Sequence, residues 1–129
     1  MRSEDGGGER GSAAVEFALV LPFLFLALLA VVQVGLVARD ALLVGEAARA
    51  GAREAAVTDD LERVHAAVIG AASGLDPARL EIVVIREGAR GDAVSAVVRY
   101  AHAIGGDGWG LLPDAVTLEA TAVMRQEFG

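Results

Sequence analysis

Hydrophobic and polar positions fall into three regimes along the chain. From Phe17 to Ala38 there is no charged residue and a single strongly polar side chain, Gln33. Glu16 closes the run on one side, Arg39 and Asp40 on the other. As an α-helix this stretch is roughly 33 Å long, about the hydrocarbon thickness of a bilayer. Pro22 is tolerable there, because a helix in lipid bends with help from its neighbours. A buried helix of a soluble domain would need a surrounding core larger than the remaining residues can supply. A cleaved secretory signal fits less well: its apolar region is about 7–15 residues and ends at a small-x-small site. The nearest Ala-x-Ala, Ala48-Arg49-Ala50, lies beyond the run among charges. The pattern predicts a transmembrane segment over 17–38.

From Arg39 to Ala56 the chain has no proline and abundant alanine, and its residues divide by helical face. At about 100° per residue, Ala41, Val44, Gly45, Ala48, Gly51, Ala52 and Ala55 share one side. Arg39, Glu46, Arg49 and Arg53 take the other. The apolar side is made of small residues, which lets a packed layer approach closely. Thr58, followed by Asp59, Asp60 and Glu62, reads as a cap and acidic first turn for a second helix. Its apolar face is Leu61, Val64, Val68 and Ala72, and it stops near Ser73-Gly74. Three strands follow, Leu80–Glu87, Ala93–Ile104 and Val116–Arg125, the last two with clear alternation. Val94, Ala96, Val98 and Tyr100 share one face of the second; Val116, Leu118, Ala120, Ala122 and Met124 share one face of the third. "EGARGD" is an adequate hairpin loop, and Gly105 to Asp114 forms a longer one. The expected fold is α+β: a long N-terminal transmembrane and amphipathic helix, a short second helix and a three-stranded antiparallel sheet.

Composition narrows the function. The 129 residues have room for one small domain beside the apolar run. There is no cysteine, so disulfides and thiolate metal sites are excluded. A net charge of −7 argues against nucleic acid, which needs a basic face. All the basic residues are arginine, which reads as codon usage rather than chemistry.

Candidate chemistry is thin. His65 and His102 are separated and lack metal-ligand spacing, so structural or surface roles are expected. Ser12, Ser73 and Ser95 have no nucleophile-elbow context. Asp59-Asp60 is more simply a helix start than a cation site. Trp109, with Leu111 and Leu112, is expected to fold over the sheet edge, a contact surface being the alternative. Gly6, Gly8 and Gly11 spell G-x-G-x-x-G, but no strand precedes them, so a dinucleotide site is not expected. The expectation is no enzyme, no cofactor and no metal.

The segment "GSAAVEFALVLPFLFLALLAVVQVG" carries Gly11, four residues, then Glu16 and Phe17 at the mouth of the apolar helix. It resembles the type IV prepilin processing site and, more narrowly, the TadE/TadF pseudopilins of the tight-adherence (Flp) pilus. The likeness continues through the Ala/Arg-rich helix and in the C-terminal "VTLEATAVMRQEF". The resemblance implies that a membrane-embedded prepilin peptidase facing the cytoplasm cuts between Gly11 and Ser12. Residues 1–11 would be a hydrophilic, disordered leader, 12–56 the long helix, and 57–129 an exported α+β domain packed on its outer half. Major pilins commonly begin with an N-methylated Phe; Ser12 in that place leaves methylation open. Glu16 and Phe17 would be the assembly residues, the Glu16 carboxylate pairing with the freed amine of a neighbouring subunit. A carboxylate in the first helical turn is also favoured by the helix dipole, by about 0.3–1 kcal/mol.

Arginines flank both ends of the span, so charge alone leaves orientation open. The resemblance implies a single-pass inner-membrane protein with its C-terminal domain outside the cytoplasm, or incorporated in an extracellular pilus. Its partners would be the peptidase, other Tad pilins, the assembly platform and the bilayer. The alternative is an uncleaved single-pass protein whose exported domain binds a protein or ligand.

Overall fold

A computed structural model describes residues 6–104 and 114–128. The elements are α1 (Gly6–Val57), α2 (Leu61–Ala71), one 3₁₀ turn (Pro77–Arg79), β1 (Leu80–Arg86), β2 (Ala93–Ala103) and β3 (Ala115–Arg125). The chain divides into two compact units, Met1–Gly35 and Leu36–Gly129. The expected α+β class and element order are what the structure has.

In the first unit the described residues all belong to α1. Its side chains from Gly11 to Val32 are exposed, including Phe17 at 62% and Phe23 at 72%. A helix apolar on every side and uncovered is unstable in water but suited to lipid. Among the described residues, α1 is the one helix long and apolar enough to cross a membrane.

The second unit is built on a sheet of order β1-β2-β3, antiparallel throughout. The register sets Ile82 and Ala120 on either side of Val98, and Leu80 and Leu118 on either side of Tyr100. Successive side chains point to opposite faces of a strand. Val94, Ala96, Val98 and Tyr100 are therefore buried together, with His102 extending the row. On the opposite face Arg99 lies between Glu81 and Glu119 and pairs with both. Those carboxylates, Glu119 foremost, raise the Arg99 pKa.

The inward face of the sheet is covered by the outer half of α1 and by α2. Val44, Ala47, Ala48, Ala52, Ala55 and Ala56 are buried on α1, and Val64 and Val68 on α2. Full burial of each valine contributes about 1.5–3 kcal/mol. The small residues set the spacing. A Cβ on Gly51 would lie 2.6 Å from Val68 Cγ2 and 3.3 Å from Ala96 Cβ, so only glycine lets the layers meet.

Local details correct the expectations. The buried face of α1 is rotated: Ala41 is exposed and Gly45 half-buried, whereas Asp40 and Ala47 are buried. Asp40 turns inward because it has a partner in the sheet, described below. The cap of α2 is Asp60, not Thr58. Asp60 Oδ1 accepts from the Glu62 and Arg63 amides at 2.9 and 3.4 Å. Thr58 instead closes α1, its amide donating to the Glu54 carbonyl at 3.1 Å. Leu61 is 53% exposed, so the apolar face of α2 begins at Val64. The strands begin or end within a residue of the expected limits. Gly91, at φ 96°, supplies the left-handed residue of the β1–β2 loop.

The C-terminal end of α1 is also tied to the sheet. Arg86 donates to the Ala55 carbonyl at 3.4 Å and to the Thr58 carbonyl at 3.0 Å. The Glu127 amide donates to the Ala56 carbonyl at 2.8 Å. Carbonyls that a helix end leaves unpaired are thereby satisfied.

Candidate functional site

In the first unit, Gly11, Ser12, Glu16 and Phe17 lie on consecutive turns of α1. A Cβ added to Gly11 would meet nothing within 4 Å. Packing against the described residues therefore does not demand glycine there. The Ser12 hydroxyl donates to Glu16 Oε1 at 3.3 Å, a contact one turn long and exposed. Glu16 forms no ion pair among the described residues. Phe17 presents its ring outward. Helical spacing thus brings the side chains of Ser12 and Glu16 to the same face of one helix. Gly6 to Arg10, assigned to the leader, are also within α1. Residues 1–5 lie outside the described residues.

The second unit holds a polar pair not expected from the pattern. His102 Nδ1 lies 2.7 Å from Asp40 Oδ2, joining α1 to the end of β2. Asp40 is 6% exposed and His102 8%. Arg39 donates to the other carboxylate oxygen at 3.2 Å. His102 Nε2 is buried with no partner among the described residues, as is Gln126 Oε1. The position of His102 was readable: it falls two residues after Tyr100, on the inward face of β2. Asp40 was not, because a charge directly after an apolar run reads as the edge of the lipid.

An Asp–His pair is the base half of a hydrolytic site, but no serine stands against Nε2 among the described residues. His65 is exposed on α2, and among the described residues no hydrogen bond joins Ser73 or Ser95 to either histidine. Asp60 is occupied as a cap. Among the described residues no three His, Cys, Asp or Glu side chains converge to hold a metal. A shallow open depression lies beside the hairpin, lined by Gly91, Asp92, Ala93, Val123, Met124 and Arg125. Trp109, Leu111 and Leu112 lie outside the described residues.

The class of protein these observations define is a chain with one apolar helix fit to anchor it in a membrane, carrying an α+β domain. Residues 11–53 match the family model described as TadE-like protein. Over that stretch the chain is similar to TadE-like proteins, a likeness that suggests association with the Tad pilus. No curated protein and no solved structure matches the chain. The matched residues start at Gly11 and end within α1, so the C-terminal "VTLEATAVMRQEF" lies outside them.

Proposed function

We propose that this chain is a minor pilin or pseudopilin of a Tad (Flp) pilus or related secretion machine, cut by a prepilin peptidase between Gly11 and Ser12. The observation that carries the reading is that the TadE-like match opens on Gly11, a glycine that no described residue requires by packing against it. A requirement not met inside the molecule fits a protease that must bring its own groups against the backbone.

Chemistry gives the next residues their roles. Cleavage would convert the Ser12 amide to an α-amine, a cation at neutral pH for part of the population. Glu16 is a lone carboxylate at the mouth of an apolar run, where burial in lipid costs up to about 2.5–3.5 kcal/mol at the centre and less near the end. An amine from a neighbouring subunit offsets that cost. Phe17 adds an aromatic surface on the same turn. The processed chain would sit in the inner membrane by 17–38, with its domain outside the cytoplasm. The assembly platform and other Tad pilins would be its partners.

A second reading, an uncleaved single-pass binding protein, draws on α1 running unbroken through Gly11 and Ser12. Peptidases take their substrates extended, and a helix must open first. The three glycines at 6–8 each disfavour a helix by about 1 kcal/mol relative to alanine, so opening there is easy. Expression with a prepilin peptidase separates the readings. Gly11→Leu is expected to leave the precursor uncut in the membrane; normal maturation of that variant would contradict the assigned site.

A further inference from the structure

Gln33 is the one strongly polar side chain between Phe17 and Ala38, and no described residue exchanges a side-chain hydrogen bond with it. It is half-buried, whereas the residues from Gly11 to Val32 are exposed. An amide left without partners in hydrocarbon costs several kcal/mol. Escape to the interface is difficult. Arg39 lies about 9 Å further along the axis, and helical side chains lean back toward the N-terminus, away from that nearer edge. Gln33 is thereby aimed toward the middle of the span.

From this we propose that Gln33 is a self-association site, paired in the membrane with Gln33 of a second copy of this chain. The argument is one of complementarity and depth. A carboxamide both donates and accepts, so two copies related by an axis along the membrane normal satisfy each other with two reciprocal bonds. A second copy inserted with the same topology brings its amide to the same depth by necessity; a different helix does so only if it carries a polar residue there. Ala30 shares that side of α1, one turn before Gln33, and lets a neighbouring backbone come close.

The inference rests on the reading of 17–38 as a membrane span. The test uses the full chain, labelled separately with donor and acceptor dyes and reconstituted into phosphatidylethanolamine/phosphatidylglycerol vesicles. Flotation checks insertion and energy transfer reports association. Wild type is expected to associate, Gln33→Leu to associate about 3- to 30-fold more weakly, the range for interhelical hydrogen bonds in bilayers, and Gln33→Asn to retain most of the effect. Vesicle-bound protein without energy transfer, or with transfer unchanged in Gln33→Leu, would overturn the self-association alone. Protein that does not float would overturn the membrane reading and this inference with it.

Discussion

Asp40 and His102 are 62 positions apart, yet their side chains share one buried hydrogen bond. Removing one partner leaves a buried polar group of the other unsatisfied, and such losses cost about 1–3 kcal/mol. Asp40→Ala and His102→Ala are each expected to lower stability by that order, read by denaturation of the full chain in detergent. Replacing both by leucine should cost less than the sum, because neither polar side chain is then left without its partner. Additive losses would mean the pair is not coupled. Gly51 makes a sharper steric statement. Gly51→Ala places a methyl 2.6 Å from Val68 Cγ2, and overpacking of this kind costs about 1–3 kcal/mol. The same denaturation measurement checks it, and unchanged stability would show that α2 yields freely. The tight packing of Gly51 was half legible: the small-residue face of α1 was plain, but nothing in the chain names α2 as what meets it.

Among the elements, those with strong periodicity were the legible ones. Alternation in β2 and β3 placed both strands and their inward faces, because a half-buried strand must alternate. α1 and α2 were found for the corresponding reason at the helical period. What periodicity does not carry is phase near an end. Asp40 turned inward because His102 waits in the sheet, and no local pattern encodes a partner so far along the chain. Thr58 and Asp60 are both good caps, and the choice between them was made by α1, which extends to Val57 and claims Thr58 for its own closure. Arg86 was invisible as an anchor for the same reason: the carbonyls of Ala55 and Thr58 become its targets only once the sheet is laid on α1.

For the whole molecule, the proposed site at Gly11, Ser12, Glu16 and Phe17 rests on a spacing and not on a contact network. Its proposed partners are other molecules, and among the described residues Gly11 faces open space and Glu16 has only the Ser12 hydroxyl. That leaves Glu16 with a test at the level of assembly. Glu16→Ala is expected to be processed normally and to insert at least as well as wild type, having lost a carboxylate, but to be missing from isolated pili or assembly complexes. Incorporation at the wild-type level would leave the helix dipole as the sole account of this residue.

Processing is the step on which the rest depends, because an amine appears at Ser12 only if the preceding peptide bond is broken. Intact-mass analysis and N-terminal sequencing of the protein recovered from its native membrane measure that directly. The account predicts a mature chain whose first residue is Ser12. A membrane-bound chain that still carries Arg2 to Gly11 would contradict it.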